Sequence, residues 1–425
     1  MQEKPKHPKG LYVLFFTEMW ERFGFYTMLA IFAYYMDEYF QMPKEKSGQI
    51  YGLFLAFVYF TPILGGLLAD RVLGYYKTIV LGAICLGAGY FLLSIPNINF
   101  FYLALVVIIT GNGFFKPNIS TMVGNLYPDG SLLKDRAFNI FYMGINIGAL
   151  FAPFAAAYLR YNFGWSYAFG AAGVGMLISL VIFSFFKKHV IQADITKESK
   201  ANAAAAETMS KQEEKDRVVA LLIVFGIVIL FWMGFHQNGF TLAFWARDCT
   251  DLTSLPAFFQ KPEIQSAINP IFVVLLTPLL VLLWEFLNRR GKEPSTPAKI
   301  GWGMILTAIA FAIMAAGAVK FANVGRVTPS WLISSYFVIT LAELCLSPMG
   351  LSFCNKVAPY RMRGLMMGGW FGATAVGNYL SGFLGTYWDK MSHRNFFLLL
   401  VGASIFAAIL LRLALNKLKK ATGNL

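Results

Sequence analysis

Apolar residues run along the chain in long stretches, and short polar segments separate one stretch from the next. Twelve stretches reach the length of about 20 residues that a helix needs to cross the hydrocarbon of a bilayer. A membrane β-barrel would alternate apolar and polar residues instead. The pattern therefore predicts an all-α membrane protein with twelve transmembrane helices. Their expected ranges are 11–37, 48–69, 77–95, 99–122, 137–159, 165–186, 218–246, 264–288, 300–319, 331–355, 364–388 and 395–416.

One polar segment divides the twelve stretches into two sets of six. Residues 187–217 are rich in Ala, Lys and Glu and contain neither Pro nor Gly. We interpret them as a cytoplasmic linker, partly helical, whose EEKDR run leads into the seventh span. The predicted domains are an N-terminal six-helix bundle at 1–186, this linker, and a C-terminal six-helix bundle at 218–425.

The composition supports the membrane interpretation and excludes several classes of protein. Of the 425 residues, 57% are hydrophobic and 14% are charged, whereas a soluble domain carries about 25% charged residues. These values exclude a soluble globular enzyme and a disordered chain. Four cysteines without a CxxC motif are too few for a disulfide scaffold, and we expect no metal site.

The basic residues predict which side of the membrane each loop faces. The formal net charge is +14, which would suggest nucleic acid in a soluble protein. With the N-terminus inside, the predicted cytoplasmic segments hold 25 of the 36 Lys and Arg residues, and the outer loops hold 9. Because basic residues favour the cytoplasmic side, both termini are predicted to be cytoplasmic. We expect a multi-pass monomer in the plasma membrane, the inner membrane of a bacterium, that binds no nucleic acid.

Five acidic or basic residues lie in the interior of predicted spans, away from the span ends, where each costs roughly 2.5–3.5 kcal/mol at a helix centre. They are Glu18, Glu21, Arg22, Lys116 and Glu343. In one interpretation they neutralise each other as a buried structural cluster. In the other they line a water-filled cavity that carries both signs of charge. Glu18 and Arg22 are four residues apart, so they share one helix face and can pair.

A zwitterion of modest length fits this distribution of charge. Its carboxylate would bind Arg22 and Lys116 in the N-terminal half, and its ammonium would bind Glu343 in the C-terminal half. Asn146 and Asn269 offer donors and acceptors suited to a peptide group, with interhelical hydrogen bonding as the alternative. Tyr59 and Trp370 are candidate apolar lining, although most aromatic residues must pack in the core or face lipid.

Several long motifs resemble one family. EMWERFGFY at 18–26 resembles the E-x-x-E-R-F-x-Y-Y motif of the proton-dependent oligopeptide transporter (POT) family of the major facilitator superfamily. GGLLADRVLGYYKTI at 65–79 is similar to the family's loop 2–3 signature, and FNIFYMGINIGAL at 138–150 to its span 5 signature. The resemblance runs from about residue 10 to residue 390.

The resemblance implies proton-coupled uptake of di- and tripeptides by alternating access, with the proton as coupling ion and no cofactor. It assigns Glu18, Glu21 and Arg22 to proton coupling, Arg22 and Lys116 to the peptide carboxylate, and Glu343 to the peptide amino group. Further positions are implied to line the peptide site, namely Tyr26, Tyr59, Asn146, Asn269, Ser347 and Trp370. Asp70 and Arg71 belong to the loop motif that biases the inner gate.

Three positions depart from the family pattern. Phe25 replaces the first Tyr of the motif, so one hydroxyl is missing. His236 stands where the family usually carries Glu or Asp, and Leu29 stands where many bacterial members carry Arg. Both partners of an outer salt bridge are therefore absent, and the outer gate must close through other contacts. His236 is either a proton-coupling group that titrates near neutrality or a hydrogen-bonded residue of the pore.

One alternative to a peptide symporter is another kind of transporter, and two others belong to different functional classes. A relative that transports nitrate or another small anion often has a degraded first motif, whereas Glu18 and Glu21 are intact here. A peptide sensor that does not transport is less favoured, because the linker is short and no extra domain is present. A membrane enzyme is least favoured, since the chain contains no HExxH or GxSxG motif and only four His residues.

Overall fold

The computed structural model describes residues 7–128, 132–194, 210–359 and 362–421. These residues form twelve long helices, which confirms the predicted all-α architecture. The helices are α1 (Lys9–Tyr34), α2 (Lys44–Leu68), α3 (Tyr75–Leu93), α4 (Ile98–Asn125), α5 (Leu132–Phe163), α6 (Trp165–Phe185), α7 (Lys211–Phe235), α8 (Ile268–Arg289), α9 (Thr296–Val324), α10 (Ser330–Val357), α11 (Arg363–Gly385) and α12 (His393–Ala421).

Most of the twelve helices have the length and composition of transmembrane segments. Among the residues that the structure describes, nine helices are long and apolar enough to cross a membrane. Helix α1 is not among the nine, because Glu18, Glu21 and Arg22 interrupt its apolar sequence. The charges that make α1 chemically interesting therefore also weaken its signal as a membrane span.

By the contacts between its residues, the chain forms two compact units. Unit 1 comprises Met1–Tyr35 and Phe57–Ala205, and unit 2 comprises Met36–Ala56 and Ala206–Leu425. The division falls within α2, whose residues 44–56 belong to unit 2. The predicted bundle boundaries, at residues 186 and 218, stay a prediction.

Glycines permit close helix contacts in unit 1. Helix α1 packs against α5 and α6, and α3 packs against α4 and α6. A Cβ atom on Gly148 of α5 would lie 2.3 Å from the carbonyl oxygen of Met19 in α1 and 3.2 Å from the Cβ atom of Arg22. A larger residue at Gly148 would therefore push α5 away from the charged part of α1.

Unit 2 is built in a similar way. Helix α9 packs against α10 and α12, α7 packs against α11 and α12, and α8 packs against α10. At the contact of α2 with α11, a Cβ atom on Gly382 would lie 2.3 Å from the Cα atom of Gly52 and 2.4 Å from the carbonyl oxygen of Gly48. Backbone therefore meets backbone directly between these two helices.

Short polar segments begin and connect the helices. The side chain of Ser210 accepts a hydrogen bond from the Glu213 amide and caps α7, so the EEKDR run is helical as predicted. Asp194 accepts hydrogen bonds from the amides of Tyr75 (2.6 Å) and Tyr76 (3.3 Å) at the start of α3. Linker residues 195–209 lie outside the described residues, so their predicted helical content is not tested.

Candidate functional site

In unit 1, Arg22 is the centre of a buried ionic group on α1. Its Nε donates to Glu21 Oε2, and its Nη2 donates to Glu21 Oε1 at 2.7 Å. The Glu18 Oε1 atom lies 3.5 Å from Nε, as the four-residue spacing predicts. All three side chains are at most 3% exposed. The mutual neutralisation that the sequence left open is therefore present here for Glu21 and Arg22.

The two carboxylates beside Arg22 are not equivalent. Both oxygens of Glu21 accept hydrogen bonds from Arg22. Glu18 faces Arg22 with its Oε1 atom alone, 3.5 Å from Arg22 Nε. Its Oε2 atom is buried without a hydrogen-bond partner among the described residues. A buried polar atom without a partner costs free energy, and more so when it carries charge. Glu18 is therefore the more weakly held of the two carboxylates.

Asn112 of α4 is a member of this group that the sequence analysis missed. Its Oδ1 accepts from Arg22 Nη2 at 3.4 Å, and its Nδ2 donates to the carbonyl of Val58 at 2.8 Å. The bond to Val58 fixes which end of the amide faces Arg22. A signal was present, because Asn112 lies one helical turn before Lys116 and therefore on the same face.

Lys116 is placed differently from Arg22. Its Nζ lies 4.4 Å from the centre of the Tyr59 ring, a cation–π contact between two predicted site residues. Lys116 is half-buried and makes no ion pair with any residue that the structure describes. This cation is therefore not neutralised by a salt bridge, unlike Arg22.

The remaining predicted residues of unit 1 are spread over several helices. Tyr26 is half-buried on α1, and the guanidinium carbon of Arg22 lies 5.0 Å from the ring centre of Phe25, the residue that departs from the motif. Asn146 on α5 is 8% exposed and donates to the carbonyl of Tyr142 in its own helix at 2.9 Å. That bond lies within one helix, and it is not the interhelical bond considered for Asn146.

The loop motif after α2 forms a short π-helical turn, Ala69–Leu73. Asp70 accepts a hydrogen bond from the hydroxyl of Tyr75, the first residue of α3. Arg71 is exposed. The carboxylate thus fixes the turn between the two helices, which suits a structural part in gating rather than substrate contact.

In unit 2, Glu343 on α10 and Asn269 on α8 are brought together as predicted site residues. Asn269 Nδ2 donates to Glu343 Oε2 at 2.9 Å and to the hydroxyl of Thr340 at 3.0 Å. Glu343 is half-buried and makes no ion pair with a described residue. Its second oxygen accepts no hydrogen bond within the described part of the chain.

For Trp370 and Ser347, the other two residues of unit 2 predicted to line the peptide site, the structure gives no contact with another predicted site residue among those it describes. Trp370 on α11 is 4% exposed, and its carbonyl accepts from the hydroxyl of Thr374 at 3.0 Å. The backbone of Ser347 lies within α10, and its side chain lies outside the described residues. Trp370 is thus mostly covered by neighbouring side chains of the protein.

His236 lies where α7 ends, in the 3-10 turn His236–Gly239. Its ring stacks on Trp232 with centres 5.3 Å apart, and the hydroxyl of Tyr51 lies 3.4 Å from its carbonyl oxygen. The next residue, Gln237, is fully buried and donates to the carbonyl of Ser381 in α11 at 3.0 Å. Gln237 therefore fixes this turn against α11, and both proposed parts for His236 stay open.

A second set of charges in unit 2 is named here the outer charge cluster and comprises Asp37, Glu38, Lys44, Arg247, Asp248 and Asp389. Arg247 lies 2.7 Å from Asp37, 3.1 Å from Glu38 and 2.7 Å from Asp248. Lys44 lies 3.1 Å from Asp389. The cluster joins Met36–Ala56 to the rest of unit 2. How the outer gate closes without the usual pair at Leu29 and His236 stays a prediction.

The arrangement as a whole suits binding of a charged ligand more than catalysis. Each unit carries a half-buried ionic side chain without a counter-ion among the described residues. In the part of the chain that the structure describes, no group of three His, Cys, Asp or Glu residues could hold a metal ion. The prediction that the charges of the two halves face one cavity stays a prediction.

Comparison with known proteins identifies the family. The family model PTR2, described as the POT family, matches residues 76–207 and 186–400. The transporter YclF of Bacillus subtilis strain 168 is 33% identical over 447 residues, which cover 92% of this chain and 90% of YclF. Dipeptide and tripeptide permease A of Escherichia coli strain K12 is 31% identical, with 89% of this chain and 85% of the permease covered.

Solved structures agree with this family and with its fold. A peptide transporter POT, crystallised as a mutant with sulfate, superposes with a TM-score of 0.89 at 29% identity and covers 98% of this chain and 96% of its own. A POT family transporter with 5-aminolevulinic acid superposes at 0.87 with 25% identity, and 97% of each chain is covered. The protein therefore belongs to the POT family of the major facilitator superfamily, a family of membrane transporters rather than enzymes.

Proposed function

We propose that this transporter imports di- and tripeptides together with protons by alternating access. One observation carries the proposal: unit 1 contains a cation, Lys116, and unit 2 contains a carboxylate, Glu343, that make no ion pair with a described residue. Charges within membrane-spanning helices cost free energy when they lack a counter-ion. A short peptide supplies both counter-ions, because it has a carboxylate at one end and an ammonium at the other.

Lys116 is the proposed first contact of the peptide carboxylate. Its ammonium is held over the Tyr59 ring, which attracts a cation without neutralising it. Arg22 is the proposed second contact, through its Nη1 nitrogen, which has no hydrogen-bond partner among the described residues. Two cations near one carboxylate would give the strong charge-assisted hydrogen bonds typical of such sites.

Glu343 is the proposed contact of the peptide ammonium, with Asn269 beside it. One carboxylate oxygen is held by the Asn269 amide, and the other is available to accept from a ligand. The Asn269 Oδ1 atom adds a second acceptor. Tyr26, Asn146, Ser347 and Trp370 are proposed to line the site between the two peptide ends.

Glu18 is the proposed site of proton uptake, and Glu21 is proposed to hold Arg22 in place. The argument is the difference between the two carboxylates: Glu21 receives two hydrogen bonds from Arg22, whereas one Glu18 oxygen receives none. A proton on Glu18 would remove a poorly compensated charge. Because neighbouring groups titrate together, Glu21 and Arg22 belong to the same coupled set.

The names of the relatives support a peptide substrate. One relative is called a dipeptide and tripeptide permease, and another is called a peptide transporter. A solved POT structure holds alafosfalin, and another holds a thioalcohol-conjugated peptide. Transport of nitrate or another small anion would leave Glu343 without a partner. A cytoplasmic placement of both termini, a plasma-membrane location and a monomeric state are proposed with the function.

Uptake into proteoliposomes tests the proposal. We expect labelled dialanine to accumulate when an inward proton gradient is imposed, and to equilibrate without accumulation when the gradient is collapsed by a protonophore. Nitrate should not compete. Binding of dialanine without any uptake would instead identify a sensor, and competition by nitrate alone would identify an anion transporter.

Replacement of His236 separates the two interpretations of that residue. If His236 takes part in proton coupling, uptake by His236→Gln should depend on pH differently from uptake by the wild-type protein. An unchanged profile would leave His236 as a residue that packs on Trp232. Since Gln237 fixes the same turn against α11, the His236→Gln variant should keep the local fold.

A further inference from the structure

The hydroxyl of Thr340 lies one helical turn before Glu343 and directly beside the site proposed for the peptide ammonium. Thr340 is fully buried on α10. Its Oγ1 donates to the carbonyl oxygen of Tyr336 at 2.7 Å and lies 3.0 Å from Asn269 Nδ2. Thr340 contacts Asn269 rather than Glu343, so any effect on the carboxylate must pass through the amide.

The donors and acceptors in this group can be assigned. A hydroxyl has a single hydrogen, and the Thr340 hydrogen goes to the Tyr336 carbonyl. Towards Asn269 the Thr340 oxygen can therefore only accept. The Asn269 amide must then present its NH₂ group, whose two hydrogens go to Thr340 Oγ1 and Glu343 Oε2. The assignment does not depend on telling nitrogen from oxygen in the amide.

The free atoms that remain are all acceptors. Both N–H donors of Asn269 are engaged by Thr340 and Glu343. The Asn269 Oδ1 atom and the second Glu343 oxygen therefore remain to accept hydrogen bonds from a ligand. If the amide rotated by half a turn, its oxygen would face the Glu343 oxygen, and the two acceptors would repel each other. A group with several N–H donors, such as a primary ammonium, matches this arrangement, whereas an acylated nitrogen with one donor does not.

We propose that Thr340 is a positioning residue that orients the Asn269 amide and thereby makes the site selective for a free amino terminus. The proposal rests on the proposed function, because it concerns the contact between the peptide ammonium and Glu343. Thr340 touches neither the substrate nor the carboxylate. Its contribution is to make one amide orientation more stable than the other.

Competition against labelled dialanine uptake tests the proposal. Unlabelled dialanine and N-acetyl-dialanine are compared as competitors for wild type, Thr340→Val, Thr340→Ala and Thr340→Ser. Thr307→Val is the matched control, because Thr307 is also fully buried in unit 2 and its hydroxyl donates to the carbonyl of Gly303 at 2.8 Å. Among the described residues, the Thr307 hydroxyl has no side-chain partner.

Loss of one net hydrogen bond should weaken the affinity for dialanine roughly three- to tenfold. We expect this loss in Thr340→Val and Thr340→Ala, with less than about a twofold change for N-acetyl-dialanine and little change in the maximal uptake rate. Thr340→Ser should behave as the wild type, since it keeps the hydroxyl, and so should Thr307→Val. Using both Val and Ala keeps the result independent of how one variant folds.

Glu343→Gln, measured in the same assay, separates the two proposals. If Glu343→Gln weakens dialanine selectively but both Thr340→Val and Thr340→Ala weaken the two competitors equally or not at all, the Thr340 proposal is overturned and the function stands. If Glu343→Gln is itself unselective, the amino-end assignment is wrong, and the Thr340 proposal is overturned with it.

Discussion

At the residue scale, the three carboxylates of the candidate site are held in three different ways. Both oxygens of Glu21 accept from Arg22, one oxygen of Glu18 lies 3.5 Å from the same guanidinium, and Glu343 accepts from an amide. Removing one partner of a buried ion pair leaves an uncompensated charge and typically costs about 3–5 kcal/mol. The same Glu-to-Gln change should therefore have different effects at the three positions.

Glu18→Gln and Glu21→Gln should separate proton coupling from structural support. Glu18→Gln resembles the protonated carboxyl, so we expect it to keep dialanine exchange in counterflow but to lose accumulation driven by a proton gradient. Glu21→Gln removes the bidentate partner of Arg22, so we expect lower thermal stability and loss of both transport modes. Counterflow, gradient-driven uptake and thermal unfolding in detergent measure the three properties. Identical losses in both variants would contradict the assignment of proton uptake to Glu18 and of support for Arg22 to Glu21.

Lys116→Ala should abolish gradient-driven uptake, since it removes a cation within a membrane-spanning helix that makes no ion pair with a described residue. Loss of a buried, charged contact commonly costs about 2–5 kcal/mol of binding, which corresponds to an affinity at least about thirtyfold weaker. Lys320→Ala, at an exposed lysine near the end of α9, is the control for the loss of one positive charge. Uptake by Lys116→Ala at more than half the wild-type rate would refute the carboxylate contact.

The charged residues of the candidate site and Asn269, the amide partner of Glu343, could be named from the sequence, whereas Asn112 and Thr340 were missed. An ionisable residue inside an apolar stretch is conspicuous, because burial of its charge is costly. Apart from the spacing of Asn112 to Lys116, nothing in the sequence marks Asn112 or Thr340, since other polar uncharged side chains of the described helices, such as Thr307, simply bond to their own helix. The role of each of these two residues depends on which carbonyl or side chain lies within about 3 Å of its polar atoms. Tertiary packing fixes those distances.

At the element scale, hydropathy predicted the helices better than their ends. The seventh span was predicted as one stretch over 218–246, but α7 ends at Phe235, and a 3-10 turn, a four-residue helix and a π-helical turn follow up to Cys249. The polar sequence HQNG at the break bonds to neighbouring elements instead of continuing the ladder of α7. A hydropathy pattern measures burial and carries no information on which hydrogen bonds the backbone makes.

Gly382→Ala should disrupt the contact between α2 and α11 in unit 2. The added Cβ would lie 2.3–2.4 Å from backbone atoms of Gly52 and Gly48, and backbone cannot move aside as a side chain does. Overpacking of this kind costs about 1–3 kcal/mol, so the melting temperature and the uptake rate should both fall.

Gly372→Ala provides the matched control for Gly382→Ala. Gly372 lies on the same helix, and a Cβ atom there would meet nothing within 4 Å. Alanine also favours a helix over glycine by about 0.5–1 kcal/mol, so this variant should be as stable as the wild type or slightly more stable. Equal destabilisation by the two substitutions would show that the glycine contact is not the cause.

At the scale of the whole molecule, the two halves are proposed to supply charges of opposite sign to the substrate. Within the described residues, Lys116 of unit 1 and Glu343 of unit 2 make no ion pair, whereas the charge of Arg22 is mostly compensated by Glu21. The twelve helices and the family followed from the pattern of the sequence. That the two charges bind opposite ends of one peptide is a proposal about transport, and binding measurements test it directly.

The most direct measurement is the binding of three ligands to wild type, Lys116→Gln and Glu343→Gln. The ligands are dialanine, dialanine amide, which lacks the carboxylate, and N-acetyl-dialanine, which lacks the ammonium. We predict that Lys116→Gln distinguishes dialanine from its amide much less well than the wild type, with Arg22 as the remaining cation, but still rejects the acetylated form, and that Glu343→Gln loses the distinction from the acetylated form and keeps that from the amide. If both variants lose both distinctions, or neither does, the two residues do not bind opposite ends of the peptide.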